Sequence, residues 1–250
     1  MAEERENTQG LPREVIIDPR FEGPTDITLG GYISGFMADH IDSETVEVTM
    51  RAPTPMGKKL QIYFEAPDRV VMRDGHTLLN EARPSELELD LPEPITLDEA
   101  VKASERHIPN AFPNCFACGS GRTEDNGLHL RSGTVPGRSV SAIDWTPRPA
   151  AVGAAEGEKV PIPVLWAALE CPVARVMGPS GLQEPDETGL LGRMTTRIIE
   201  RPLVGKQYFF MAWPIERQGR KIRVAGSLHD ESGRIMAMTH LLFIILQHLG

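Results

Sequence analysis

This chain carries one plan twice, and that duplication restricts its fold more than any other feature. Leu29-Gly30-Gly31-Tyr32-Ile33-Ser34-Gly35-Phe36-Met37-Ala38-Asp39 leads into strand-like segments and a Gly-Lys turn at Gly57-Lys58. Pro161-Ile162-Pro163-Val164-Leu165-Trp166-Ala167-Ala168-Leu169-Glu170 does the same, with its Gly-Lys turn at Gly205-Lys206. Neither leading segment has an obvious polar stripe, so a helix formed there must be buried on most sides. A sheet wrapped around each helix buries it, and pairing two such sheets edge to edge removes two exposed edges. The expected class is α+β, each half a central helix followed by an antiparallel meander of about four strands.

Turn chemistry and alternation fill in the elements. Val15-Ile16-Ile17 reads as a short strand, Leu29–Ile41 as the first helix, and Thr45–Arg51, Leu60–Ala66, Arg69–Arg73 and Thr77–Arg83 as strands. Val46 and Val48 alternate with Glu47 and Thr49, as a half-buried strand requires, and Asp74-Gly75 is a hairpin turn. Thr96-Leu97-Asp98-Glu99 has capping-box spacing and predicts a short surface helix from Thr96 to Arg106. Leu128–Arg131 and Ser139–Asp144 read as strands, Ala150–Lys159 as a loop, and Val164–Met177 as a second helix kinked by Pro172. Gly178–Gly189 reads as a Gly/Pro-rich loop, followed by strands at Arg193–Arg201, Gln207–Glu216, Lys221–Asp230 and Ile235–Leu246, with turns at Gln218-Gly219 and Ser232-Gly233. The expected division is a disordered tail over 1–13, a first unit over 14–84, a linker with a short helix over 85–114, and a second unit over 115–250.

Composition limits the partners. The 250 residues are 40% hydrophobic, enough for a sizeable core. A net charge of -9 argues against a nucleic-acid backbone or an anionic membrane as the main partner. Three cysteines and a polar, charged stretch from Met1 to Gly10 suit a reducing compartment without a secretory signal, so a cytoplasmic location is expected. The longest apolar run, Leu241 to Leu246, is too short to span a bilayer.

Three pieces resemble the hot-dog fold thioesterases of the PaaI and 4-hydroxybenzoyl-CoA thioesterase type. Cys115-Phe116-Ala117-Cys118-Gly119 followed by Asn126-Gly127-Leu128-His129-Leu130 is similar to the "CFxCG…NPxGLxL" that begins such a domain, without its proline. Leu29-Gly30-Gly31 looks like the "HGG" that opens the central helix, with leucine where histidine is common. Pro53 to Gly57 and Pro202 to Gly205 match the turn that follows the next strand. The resemblance covers roughly residues 14–84 and 115–246 and implies a tandem double hot-dog.

It also implies a composite site, with one unit lending a helix N-terminus and the other a helix carboxylate. The family pattern places Asp or Glu seven residues after the second glycine. In the second half that position is Glu170; in the first it is Ala38, with Asp39 rotated by about 100°. The second half has Ile162-Pro163 in place of the glycines, and proline has no N–H to donate. One site would keep Gly30, Gly31 and Glu170, and the reciprocal one would lack both parts. The implied activity is acyl-CoA thioester hydrolysis, in which Glu170 activates water or attacks the acyl carbon and the Gly31 amide receives the carbonyl oxygen. Paired glycines serve tight helix packing equally well.

No cofactor is expected beyond coenzyme A as part of the substrate, or an acyl carrier in its place. Arg51, Lys58, Lys59, Arg193, Arg197, Arg201 and Lys206 are the candidate phosphate-binding cations; of these Arg51, Lys58, Lys59, Arg197 and Lys206 are favoured. A role in lipid metabolism and pairing of two double units into a homodimer follow by the same resemblance. A non-catalytic acyl-CoA or fatty-acyl binding protein is the main alternative, and a hot-dog enoyl-CoA hydratase a third, although its Asp/His pair is absent from both helix starts. Cys115-x-x-Cys118 has zinc-like spacing, but the only other cysteine, Cys171, lies in the second helix, and His107 and His129 have no paired spacing. No metal site is expected.

Overall fold

The computed structural model describes residues 12–65, 68–107 and 112–246. The expected tail up to residue 11, Ala66 at the end of one expected strand and the connector at 108–111 lie outside the described residues. Strand β1 (Arg13–Ile16) precedes helix α1 (Gly30–Ala38) and strands β2 (Thr45–Met50), β3 (Lys59–Glu65), β4 (Arg69–Asp74) and β5 (Thr77–Pro84). Helix α2 (Leu97–Ser104) and the short strand β6 (Gly133–Thr134) follow. Next come β7 (Ser141–Trp145), a single helical turn α3 (Pro149–Val152), helix α4 (Ile162–Ala174) and strands β8 (Gly189–Ile198), β9 (Tyr208–Gln218), β10 (Lys221–Asp230) and β11 (Ile235–Ile245).

All strands join one antiparallel sheet in the order β1-β3-β4-β5-β2-β8-β11-β10-β9-β7-β6. The duplication is visible in that order. The first half contributes 1-3-4-5-2, and the second contributes 7-9-10-11-8 in mirror sequence with β6 appended. The two halves meet at β2 and β8, paired from Thr45↔Arg197 to Thr49↔Arg193. Because β2 is central, Thr49 is buried along with Val46 and Val48. The seam is reinforced by Arg193 Nε donating to Thr49 Oγ1 at 3.2 Å and by the Arg197–Glu44 ion pair.

The two apolar helices pack against each other and against this sheet. A Cβ at Gly35 would lie 2.7 Å from both Pro163 Cα and Trp166 Cβ, so α1 and α4 cross nearly backbone to backbone. Gly31 meets Glu170 while Gly35 meets Pro163, which makes the crossing antiparallel. The capping box at Thr96 and Glu99 forms as the spacing requires. The segment around α2 does more than bridge. Ile95, Ala100 and Ala103 pack on Phe209, Met211 and Trp213, while Phe210 and Ala212 face the main core, so β9 is covered on both faces. No helix among the described residues is long and apolar enough to cross a membrane.

Two local expectations change. Leu128–Arg131 is not a strand: His129 sits at φ 54°, and the Leu128 and Leu130 amides donate to the carbonyls of Phe116 and Ala117 instead of to a neighbouring strand. The expected loop at Ala150–Lys159 begins inside α3, a turn opened by Pro149 and closed by left-handed Gly153 at φ 72°.

Candidate active site

Glu170 lies on α4 among Leu165, Trp166, Ala167, Ala168 and Leu169, all buried, and is itself only 7% exposed. An α-helix that is apolar all round is stable only inside a core, so a carboxylate on it leaves water and must find a donor. That donor is the Gly31 N–H, which bonds Glu170 Oε2. Gly31 occupies the second position of α1, where backbone amides have no acceptor within their own helix and the helix dipole is positive. The contact requires glycine. A Cβ at Gly31 would lie 2.7 Å from the Trp166 carbonyl oxygen and 2.8 Å from Glu170 Cβ. The Gly30 amide, one residue earlier, has no acceptor among the described residues.

Burial pushes the Glu170 carboxyl up to about 8; the Gly31 hydrogen bond opposes that shift, and charge at Cys115 adds to it. The group therefore exchanges protons near neutrality. It forms part of the wall of a cavity of about 830 Å³, within the range of small-molecule pockets. Leu29, Gly30 and Ile33 of the first unit line one side, and Ala174, Leu191 and Phe243 of the second line another. The lining is mostly apolar, and its buried polar groups include Glu170, the three cysteines, Thr28 and Thr54. The Gly/Pro-rich loop after α4 supplies further wall through Pro179, Gly181 and Pro185.

The structure thus brings Glu170, Gly31 and Gly30 together. It corrects one detail: the Gly31 amide is engaged by the carboxylate itself, while Gly30, which lines the cavity, keeps an amide without an acceptor among the described residues. The reciprocal pair, Ala38 and Pro163, offers neither a carboxylate nor an N–H, and Asp39 lies exposed beyond the end of α1.

The expected cations do not assemble. Arg51 lines the cavity and pairs with Glu81. Lys58 pairs with Asp74, Lys59 with Glu14 and Arg197 with Glu44, and Lys206 is exposed in a turn; none of these four lines the cavity. A cation that sequence reasoning missed is Arg175, just after α4, which lines the cavity without an ion pair among the described residues. Its position at a helix end carries no motif.

Sequence reasoning also separated residues that the fold unites. Cys171 Sγ lies 3.6 Å from Cys115 Sγ, which lies 3.6 Å from Cys118 Sγ. The Cys115 thiol is held well below the usual thiol range because the Cys118 and Cys171 thiols and the Cys118 and Ala117 amides donate to its sulfur. His129 stays outside this group, its Nδ1 bonded to Arg131. No local signal announced this arrangement, because Cys171 lies 56 residues beyond Cys115 and meets it only through packing.

No protein-family model matches the sequence, and no curated protein does. Solved structures do match in fold. A tesB protein of Mycobacterium avium subsp. paratuberculosis aligns over 97% of this chain and 96% of its own, at 13% identity and a TM-score of 0.60. A protein of unknown function with a hot-dog fold from Alicyclobacillus acidocaldarius aligns over 97% and 96%, at 10% identity and a TM-score of 0.60. Acyl-CoA thioesterase II TesB2 of Mycobacterium marinum aligns over 90% and 91%, at 9% identity and a TM-score of 0.53. Taken with the strand order, these likenesses show that the chain has the hot-dog fold, with two units in tandem.

Proposed function

We propose that this double hot-dog protein hydrolyses an acyl thioester, with acyl-CoA as the substrate class, at the single composite site between its units. The observation that carries this reading is the buried Glu170 carboxylate, fixed by an amide of the other unit's helix N-terminus at the wall of a large apolar cavity. The name of the Mycobacterium marinum neighbour, an acyl-CoA thioesterase II, supports it.

The acyl chain occupies the apolar cavity and its thioester carbonyl points toward the first turn of α1. Glu170 takes a proton from water as the water oxygen bonds to the acyl carbon, and a carboxyl raised toward neutrality suits that task. The carbonyl oxygen gains negative charge as its π bond opens, and the Gly30 amide stabilises it at the positive end of the helix. When the carbon–sulfur bond breaks, the thiolate leaves with the proton held by Glu170. The products are a carboxylic acid and a free thiol. Arg175 and Arg51 at the cavity are the cations for the phosphates of coenzyme A.

The test is hydrolysis of a panel of acyl-CoAs from short to long, wild type beside Glu170→Gln. Hydrolysis in wild type that collapses in the variant supports the reading. Binding of acyl-CoA without turnover overturns it in favour of a receptor, and equal activity in both proteins removes Glu170 from the mechanism.

A further inference from the structure

We infer that Cys115, Cys118 and Cys171 form a three-thiolate site for a tetrahedral soft divalent cation, zinc above all, with its fourth position open to the cavity. The three sulfurs all lie within 4.8 Å of one another, and two of the separations are 3.6 Å. Three thiolates around one tetrahedral zinc, at about 2.3 Å each, stand about 3.8 Å apart. Little movement is needed to close them on an ion.

The backbone around the first two ligands is built for the same purpose. Cys115-Phe116-Ala117-Cys118-Gly119 forms a tight turn in which the Ala117 and Cys118 amides donate to Cys115 Sγ. Such outer hydrogen bonds hold a metal-bound thiolate in place and spread its charge. The Gly119 amide closes the turn on the Cys115 carbonyl at 2.8 Å. A Cβ there would sit 2.3 Å from the Pro113 oxygen and 2.6 Å from the Cys115 oxygen, so only glycine fits. From outside, the Leu128 and Leu130 amides pin the turn by binding the Phe116 and Ala117 carbonyls.

Cys171 supplies the third ligand from α4, so an ion would tie the turn that begins the second unit to its central helix. All three cysteines are buried, yet all three line the cavity. No carboxylate or imidazole among the described residues joins the trio, so the fourth ligand comes from the cavity: water, or the sulfur of a bound thiol. An open fourth position is the arrangement of an exchangeable rather than a closed zinc site. Three thiolates and a divalent cation carry one net negative charge, and Arg175 stands at the same cavity to offset it.

The inference stands apart from thioester hydrolysis, because metal content is read without any substrate. The full chain, purified under reductant without chelator, is expected to hold about one zinc per molecule, and Cys115→Ser or Cys171→Ser to hold less than a tenth of that. Co²⁺ titrated into zinc-stripped wild type is expected to give thiolate-to-metal charge-transfer absorption with the intensity of tetrahedral coordination. That measurement decides the matter even if a serine variant fails to fold. Zinc content below a tenth together with no cobalt–thiolate band overturns the inference. So does metal that persists unchanged in both serine variants, or a disulfide among these cysteines in the reduced preparation.

Discussion

The Gly31 N–H donates to Glu170 Oε2 across 139 residues of sequence, joining the N-terminus of one unit's central helix to the body of the other's. Neither residue has a counterpart in the reciprocal position. The proposed chemistry is therefore confined to one of two pseudo-equivalent places, and the consequences differ for each residue of the pair.

Gly31→Ala has no room for its methyl group, which would fall 2.7 Å from the Trp166 oxygen and 2.8 Å from Glu170 Cβ. Pushing α1 off α4 is expected to cost about 1–3 kcal/mol and to lower kcat by at least about tenfold through displacement of the carboxylate. Urea denaturation and acyl-CoA turnover on one preparation measure both. A variant with wild-type stability and turnover would show that the helices do not need this approach.

Glu170→Gln keeps the shape and an acceptor for the Gly31 amide but removes the ionisable group. Turnover is expected to fall by about 10³-fold, while stability at alkaline pH rises. The folded carboxyl is raised to about 8 from an ordinary value of 4.5, so the folded state holds this proton more tightly than the unfolded chain does. Its contribution is full below pH 4.5 and is lost as pH rises to about 8. Wild type should lose a few kcal/mol more than Glu170→Gln between pH 5 and pH 9, as read from denaturation midpoints.

The same raised carboxyl sets the pH–rate profile. The base form of Glu170 predominates only above about pH 8, so kcat/KM is expected to rise with pH and level off near that value. A cation on the neighbouring Cys171 would move that limb, so the profile is best recorded before and after chelation. A rate flat from pH 6 to pH 9 in both states would sink the assignment of Glu170 as the base.

Ala38→Glu restores a carboxylate at the reciprocal position, where Pro163 has no N–H to receive it. The new charge would be buried, since Ala38 is 5% exposed, and is expected to destabilise the fold by about 3 kcal/mol or more without adding activity. Calorimetry beside the turnover assay checks this, and a gain in hydrolysis would mean that the second site lacks only its acid.

Much of the architecture can be read along the chain. The duplicated helix-and-meander plan, the hairpin turns at Gly75, Gly219 and Gly233, and the capping box at Thr96 are local patterns of periodicity and turn chemistry. The structure reproduces them to within a few residues. Leu128–Arg131 failed because alternation describes a strand but does not supply a partner, and the amides there found the carbonyls of the cysteine turn instead.

The sequence by itself determined which half holds a carboxylate seven residues after the second glycine position and which half holds the glycines, because both are matters of register within one helix. Only the tertiary structure decided that Glu170 takes the Gly31 amide, since that depends on how closely two helices cross. It also decided that Cys171 meets Cys115 across 56 residues, and that Lys58, Lys59 and Arg197 spend their charge on nearby acids away from the cavity. Spacing along a chain constrains neighbours within a turn or a strand. Contacts between distant segments are set by packing, which no single segment encodes.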